Sequence, residues 1–201
     1  MKNHPFFAML SRMKYITRWG LMRNTRPETL PEHVVDVCIL THALAALGNS
    51  RLKKHFDTGR AVMLALYHDS TEIITGDLPT PIKYFDSHIK KAYKDVERDA
   101  GERLLSMLPA ELKPEYCQYL LPGHHDQELL KLVKAADKLS ALIKCMEELQ
   151  AGNREFSRAY QANLDAVAAM DLEEANLFLA EFLPSYGLSL DELDEGEESP
   201  R

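Results

Sequence analysis

The stretch that decides the fold is TGRAVMLALYHDSTEIITGDLPTP, residues 58–81. It is apolar on every side from position 61 to position 67, which predicts a buried helix. Thr58 is placed to cap the start of this helix and Gly76 to end it. The rest of the chain is interpreted from this helix outward.

Three groups with lone pairs, His68, Asp69 and Glu72, occupy the last turns of the predicted helix, and no Lys or Arg accompanies them there. Burying an unpaired carboxylate costs several kcal/mol unless a cation or hydrogen bonds compensate. Adjacent His and Asp side chains can offer two ligands to one ion. The stretch therefore predicts a divalent metal site whose other ligands come from elsewhere.

The dipeptide His-Asp occurs a second time, at His125-Asp126, and offers a competing metal site. This second pair follows a Pro-Gly turn and opens into polar sequence, so solvent can satisfy it without a metal. We favour the His68-Asp69 pair, because burial makes a cation necessary there.

Size and pattern favour one all-α domain. The chain has 201 residues and 45% apolar side chains, enough for a single core, and it shows no convincing alternating run that predicts a strand. We expect a single-domain helical bundle over residues 1–190 and a flexible acidic tail over residues 191–201. Apolar periodicity predicts helices over 6–16, 31–48, 86–107, 128–151 and 163–182, with a loop from about 17 to 30.

Charge and composition limit the classes of partner that we expect this protein to bind. A formal net charge of -7 argues against nucleic-acid binding, and we find neither a membrane-spanning apolar run nor a secretory signal, so we expect a cytoplasmic protein without a membrane partner. Three separated cysteines without a CxxC motif predict neither disulfides nor a thiolate zinc site. Residues 1–27 are basic without any acid, which suits a small anionic ligand or an ordinary solvated helix equally well.

Two further polar residues fall at the edges of apolar helices. His33 lies in the first turn of its helix, where the dipole favours the neutral imidazole that binds metals, although a lone His at a helix start is more often a satisfied polar group. Asp137 lies on the flank of an apolar stripe, which is compatible with a partly buried carboxylate. We place Lys131, Lys134 and Lys138 on the opposite, solvent side.

His33, His68-Asp69 and Asp137 match the ordered H…HD…D pattern of the HD-domain metal-dependent phosphohydrolases. Further motifs resemble the bacterial 5'-deoxynucleotidase branch of that superfamily, and the resemblance covers essentially the whole chain. These motifs are Arg18-Trp19, Glu32-His33, His68-Asp69-Ser-Thr-Glu72, GDLPTPIK at 76–83 and FLPSYGLSL at 182–190.

The resemblance implies an HD-type helical bundle that forms a homodimer and hydrolyses deoxyribonucleoside 5'-monophosphates to deoxynucleoside and phosphate, with selection against ribonucleotides. It implies that His33, His68, Asp69 and Asp137 bind one divalent metal, with cobalt or manganese expected and zinc or copper as further candidates. Two imidazoles with two carboxylates also favour a first-row transition ion over magnesium.

The site residues receive roles on the same basis. Glu72 is expected to accept or pass a proton, or alternatively to orient His68. Arg18 is expected to hold the phosphate, because a guanidinium can bind two of its oxygens. Trp19 is expected to exclude a 2'-hydroxyl, or alternatively to cap the core. The expected substrate contacts are Arg18, Trp19, His33, Asp69, Asp77, Leu78, Pro79, Thr80 and Asp137, and the expected catalytic groups are Glu72, Arg18 and Asp69.

Two other functions remain open from the sequence. The same HD site could act on a cyclic nucleotide or a nucleoside polyphosphate. A different class is a non-catalytic helical module that binds metal only for stability, or whose basic N-terminus docks an acidic partner. Glu72 and Arg18 argue against the second class, because a structural site needs neither a proton-transfer group nor a phosphate clamp.

Overall fold

The computed structural model describes residues 3–79, 82 and 86–194, and every regular element in those ranges is a helix, as the sequence predicts. The α-helices are α1 Phe6–Leu10, α2 Leu30–Arg51, α3 Thr58–Tyr67, α4 Glu72–Thr75, α5 Ser87–Ser106, α6 Lys113–Leu120, α7 Gln127–Gln150, α8 Ser157–Ala168, α9 Glu173–Glu181 and α10 Leu190–Asp194. Short 3₁₀ helices span Ser11–Tyr15, His124–Asp126, Arg154–Phe156 and Leu183–Gly187.

The core is built around α2, which packs against α3, α7 and α9. A capping box between Thr29 and Glu32 and a proline in the first turn start α2. The predicted end near Gly48 is wrong, since α2 continues to Arg51. A Cβ at Gly48 would lie 2.6 Å from a ring carbon of Phe56, so this glycine admits the ring instead of ending the helix.

Helix α3 forms where the apolar run predicts it, but its cap differs. Asp57, not Thr58, is the N-cap, because the Asp57 carboxylate accepts a 2.9 Å hydrogen bond from the Arg60 N–H. The helix ends at Tyr67, so His68 and Asp69 lie in a turn between α3 and α4. The prediction that this helix continues to Gly76 is therefore wrong: Gly76, with φ of 75°, ends the separate helix α4.

Helix α7 is the third element of the core and nearly matches its predicted bounds. The single helix predicted over 163–182 is wrong: α8 ends at Ala168 and α9 begins at Glu173. Asp171, with φ of 50°, adopts a left-handed conformation that a continuous helix cannot hold. Apolar periodicity continued across this break, which is why the sequence did not reveal it.

One of the described helices, α2, is long and apolar enough by itself to cross a bilayer, contrary to the expectation that no such run exists. Half of its apolar window is buried inside the protein. Its side chains Val37, Leu40 and Leu44 are at most 2% exposed against the other core helices. The apolar character of α2 is therefore accounted for by the core.

The C-terminal end carries α10, an exposed short helix. It covers the first residues of the expected flexible tail, and residues 195–201 lie outside the described part of the chain. The boundary between domain and tail stays a prediction.

Candidate functional site

Three of the four predicted metal ligands, His33, His68 and Asp69, have ligand atoms within 4.8 Å of one another, and Asp137 approaches this group through its contact with His33. His33 lies in the first turn of α2, His68 and Asp69 in the turn after α3, and Asp137 midway along α7. His33 Nε2 is 3.5 Å from Asp69 Oδ2 and 3.3 Å from Asp137 Oδ1. His68 Nε2 is 3.1 Å from Asp69 Oδ2. Such separations suit ligand atoms that share one ion with bonds of about 2.0–2.2 Å.

Hydrogen bonds turn both imidazoles toward the same point. His33 Nδ1 lies 3.0 Å from Ser140 Oγ, and His68 Nδ1 lies 2.7 Å from the carbonyl oxygen of Ala65. Because a carbonyl oxygen only accepts, His68 Nδ1 carries a proton, and Nε2 is the nitrogen that offers a lone pair to a metal when the ring is neutral. The Nε2 atoms of both rings are buried without a hydrogen-bond partner. Two orphaned imidazole nitrogens beside two carboxylates fit a divalent cation.

Electrostatics in the cluster favour positive charge. Burial alone would lower the pKa of His68, but the Asp69 carboxylate, followed by Asp137, raises it to about 9. Burial would raise the pKa of Asp69, yet His68 and His33 hold it well below its usual range. The carboxylates are therefore ionised at neutral pH, which is the state that binds a metal.

Asp137 has a basic neighbour, Lys138, whose predicted position is wrong. Lys138 was expected on the solvent side, but its Nζ lies 3.3 Å from Asp137 Oδ2 and its side chain is only 23% exposed. Burial would raise the pKa of Asp137, whereas the close approach of the His33 imidazole and the charge of Lys138 lower it. Adjacent residues on a helix can bend their side chains toward each other when one of them is long.

Arg18 reaches the cluster from the loop between α1 and α2. Its Nη1 lies 3.6 Å from Asp69 Oδ2, and its Nε donates to Glu28 Oε2 at 3.1 Å. Burial would lower the pKa of Arg18, but the charges of the surrounding carboxylates, led by Asp137 and Glu28, raise it. A permanently charged guanidinium thus lies at the edge of the predicted metal site.

Trp19 follows Arg18 and has a left-handed backbone, with φ of 59°. The indole Nε1 donates to Glu28 Oε2 at 2.9 Å, and the ring packs on Phe156 with 5.3 Å between centroids. Trp19 is partly buried, so it both contacts the protein interior and presents surface next to Arg18.

The far end of this loop is fastened to α7 by a buried ion pair. Lys144 Nζ donates to Glu148 Oε1 and to the carbonyl oxygen of Arg26, at 2.5 and 2.6 Å. Glu148 also accepts from the Thr25 N–H, the Thr25 hydroxyl and the Asn153 amide. The side chains of Lys144 and Glu148 are 5% and 1% exposed. The loop is therefore fixed to the helix that carries Asp137.

The other predicted site residues lie nearby in the chain. Glu72 is 3% exposed and begins α4, and its N–H donates to the Asp69 carbonyl at 3.0 Å. Asp77 is close enough for its charge to raise the pKa of Arg18. Leu78 and Pro79 are partly buried, and Thr80 lies outside the described residues.

The competing His125-Asp126 pair has a different partner from the one expected. The Asp126 side chain is 1% exposed, so solvent does not satisfy it. Arg60 does, with Nε and Nη2 donating to the two carboxylate oxygens at 2.5 and 2.9 Å. This bidentate pair lowers the pKa of Asp126 and leaves no need for a cation.

Sequence reasoning missed three side chains that organise the site: Glu28, Lys138 and Ser140. Ser140 interrupts the apolar stripe of α7 three residues after Asp137, a spacing that places both on one face. Glu28 is the first acidic residue of the chain after a wholly basic segment, a signal that could have identified it. Nothing in the sequence indicated that the long Lys138 side chain bends toward Asp137.

Comparison with known proteins identifies the family to which the chain is similar. Residues 5–186 match the family model described as 5'-deoxynucleotidase YfbR-like. The chain is 46% identical over 188 residues to the 5'-deoxynucleotidase yfbR of Photorhabdus temperata, covering 94% of this chain and 95% of that protein.

Solved structures share the fold. An HD-domain phosphohydrolase from Listeria innocua superimposes with a TM-score of 0.80 at 24% identity, covering 91% of this chain and 88% of that one. The HD phosphohydrolase DatZ of cyanophage S-2L, solved with dA and one catalytic Zn²⁺ ion, gives a TM-score of 0.63 at 20% identity, with coverage of 89% and 95%.

Proposed function

The chain belongs to the YfbR-like 5'-deoxynucleotidase family and is a phosphoric monoester hydrolase, and from that premise we propose its substrate and the roles of its residues. The substrates are deoxyribonucleoside 5'-monophosphates, which it cleaves to deoxynucleoside and inorganic phosphate. It discriminates against the corresponding ribonucleotides.

One observation carries this proposal: the guanidinium of Arg18 lies beside the Asp69 carboxylate, at the edge of the His33, His68 and Asp137 cluster. A cation site and a phosphate clamp side by side are what hydrolysis of a phosphate monoester requires. A site that bound metal only for stability would have no use for the clamp.

His33, His68, Asp69 and Asp137 would hold one divalent metal. When bound, such an ion lowers the pKa of water and polarises a phosphoryl oxygen. We propose cobalt or manganese as the activating ion, with zinc or copper as further candidates. The mixed nitrogen and oxygen donor set supports a first-row transition metal, and the cyanophage structure contains zinc.

Arg18 binds the phosphate through the guanidinium edge that faces Asp69, while Glu28 holds the Nε edge. Glu72 moves the proton between the attacking water and the leaving 5'-oxygen. Its alternative role, orienting His68, is already filled by the Ala65 carbonyl. A Glu72→Ala variant should keep its metal and turn over about 100-fold more slowly, and wild-type turnover would contradict this role.

Trp19 lies beside Arg18 in the chain, so a phosphate on Arg18 brings the sugar toward the indole. A bulky ring at the 2' position leaves neither room nor a partner for a hydroxyl. Asp77 is within electrostatic reach of Arg18, and we assign residues 77–80 to the nucleoside side of the substrate.

The test compares phosphate release from dAMP and AMP, using metal-stripped protein reloaded with cobalt, manganese, zinc, copper or magnesium. We expect kcat/KM for dAMP to exceed that for AMP about 30-fold or more in at least one transition metal. Equal rates would remove the sugar assignment. Ring opening of a cyclic nucleotide to its monophosphate, or hydrolysis of a nucleoside polyphosphate, without phosphate release from dAMP would favour the alternative HD activity.

We further propose that the protein is a cytoplasmic homodimer. Exposed apolar side chains on and near α2 support the dimer, with Val35 at 55% and Ile39 at 60% exposure. Light scattering after size exclusion should give twice the 22.9 kDa chain mass, and Ile39→Lys should shift it toward the monomer. A monomeric wild type would contradict the dimer, and recovery in a membrane fraction would contradict the location.

A further inference from the structure

Glu28 is the point at which Arg18 and Trp19 meet. A single oxygen, Oε2, accepts both the Arg18 Nε–H at 3.1 Å and the Trp19 indole N–H at 2.9 Å. The Glu28 residue is 9% exposed, and the Arg18 side chain is 12% exposed. Charge-assisted hydrogen bonds between buried groups hold their partners more firmly than exposed ones do.

The backbone fixes the Glu28 carboxylate opposite these two donors. The Arg18 N–H donates to the Glu28 carbonyl at 2.9 Å, and the Leu30 N–H donates to the Ile16 carbonyl at 2.9 Å. An antiparallel bridge pairs residue 17 with residue 29 between them. Glu28 therefore has little freedom to follow a side chain that moves, and the side chains must follow it.

Glu28 also decides which edge of the guanidinium is available. Its carboxylate takes the Nε edge, while Nη1 points toward Asp69. Arginine can serve both sides because it has five donors in a rigid plane, and that plane is oriented once one edge is bound. The Glu28 carboxylate also restrains the Trp19 indole, because it accepts from Nε1, the only polar atom of the ring.

We propose that Glu28 is a positioning residue that couples phosphate binding to recognition of the sugar. This inference rests on the proposed function. By holding Arg18 and Trp19 through one oxygen, Glu28 sets the distance between the phosphate and the ring that meets the 2' position. Loss of Glu28 therefore weakens turnover and dAMP-over-AMP selection together.

A role in which Glu28 only balances the charge of Arg18 gives a different result. It predicts a fall in kcat/KM that is equal for dAMP and AMP. It also predicts no change around Trp19. These two readouts separate positioning from charge balance.

The test uses the full-length metal-loaded protein and the variants Glu28→Ala and Glu28→Gln. The matched control is Glu155→Gln, because Glu155 also binds this loop, through Arg23, but is not bonded to Arg18 or Trp19. For Glu28→Ala we expect kcat/KM for dAMP to fall about 10- to 100-fold and the dAMP-to-AMP ratio to fall about 10-fold. Glu28→Gln keeps one acceptor and should lie between Glu28→Ala and wild type. Glu155→Gln should match wild type.

Trp19 is the chain's only tryptophan, so intrinsic fluorescence reports on it without substrate. Glu28→Ala should shift the emission and increase quenching by acrylamide. On a Trp19→Phe background, Glu28→Ala should no longer change the dAMP-to-AMP ratio, which a general loss of structure would not produce. The thermal midpoint of each variant identifies any that is unfolded, in which case Glu28→Gln supplies the comparison.

The inference is overturned if either the Trp19 emission or the dAMP-to-AMP ratio of the folded variants stays as in wild type. Failure of the proposed function has a separate signature. In that case wild-type protein hydrolyses neither nucleotide, while the emission of Glu28→Ala still shifts.

Discussion

The predicted metal cluster and the loop over residues 16–30 lie side by side but are held by different forces. The cluster ligands come from α2, α7 and the turn after α3, whose apolar faces form the main core. The loop is held by polar groups: the Glu28 carboxylate binds Arg18 and Trp19, and the Lys144–Glu148 pair binds Thr25 and Arg26. Packing thus positions the reacting centre, and hydrogen bonds position the groups that select the substrate.

This difference has an energetic meaning. Buried apolar contacts are numerous and individually weak, so no single one decides where His33 or Asp137 lies. The loop depends on a few charged contacts, each of which costs much when its partner is removed. We therefore expect substitutions in the two regions to have separable effects.

The largest expected effect comes from the cluster itself. His68→Ala should lower kcat/KM for dAMP about 1000-fold or more and weaken metal binding, because the ion loses one of few ligands. The fold should persist, since core packing does not depend on this side chain. Steady-state kinetics and calorimetric titration with Co²⁺ would measure both.

The second His-Asp pair provides the control. His125 is 72% exposed and lies beside the Arg60–Asp126 pair, so His125→Ala should leave kinetics and metal stoichiometry unchanged. Equal losses of kcat/KM and metal binding in His68→Ala and His125→Ala would contradict the distinction between the reacting centre and its surroundings.

The next largest effect is on stability and comes from the Lys144–Glu148 pair, which anchors the loop to α7. Glu148→Ala leaves Lys144 buried without its partner and should lower the free energy of unfolding by about 3–5 kcal/mol. Urea denaturation measures it. Glu155→Gln, which removes an exposed pair with Arg23, should cost less than about 1 kcal/mol. Cobalt affinity should survive in both, and its loss in Glu148→Ala would show that the two regions are one unit.

Acid should remove the same stabilisation. Burial would raise the pKa of Glu148, but the bonds from Lys144 and then Thr25 hold it well below its usual range. A carboxyl with a depressed folded pKa contributes stability above its unfolded pKa of about 4.3 and loses it as pH falls through the folded value. The stability difference between wild type and Glu148→Gln should therefore shrink below about pH 4.

The smallest expected effect comes from Ser140, which orients the predicted metal ligand His33. Ser140→Ala removes the partner of His33 Nδ1 and should weaken Co²⁺ binding about 10- to 100-fold. The dAMP-to-AMP ratio at saturating metal should not change, because Ser140 lies on α7 and not in the loop. A changed ratio would mean that sugar selection depends on the cluster as well.

Most helices and the His68-Asp69 pair were predictable because their signals are local or periodic, whereas only the family resemblance joined His33 and Asp137 to that pair. A charged His-Asp pair after an apolar helix is visible in the sequence, and so is a polar residue on an apolar flank such as Asp137. The break at Asp171 was hidden, because side-chain periodicity continued while the backbone turned left-handed.

The loop was much less predictable. Glu28 acts on residues nine and ten positions earlier, through hydrogen bonds from their side chains. Lys144 and Glu148 bind a segment more than 100 residues away in sequence. Propensity and periodicity carry no information about such pairings, whereas the family resemblance pointed to Arg18 and Trp19 directly.

Helix α7 also sets the spacing between the predicted metal cluster and the loop over residues 16–30. Asp137, Lys144 and Glu148 are spaced seven and four residues apart, so they follow one stripe along successive turns. A single inserted or deleted residue between Asp137 and Lys144 would rotate the loop anchor by about 100° relative to the metal ligand. Many substitutions should be tolerated on the outer side of α7, whereas insertions and deletions between Asp137 and Glu148 should not.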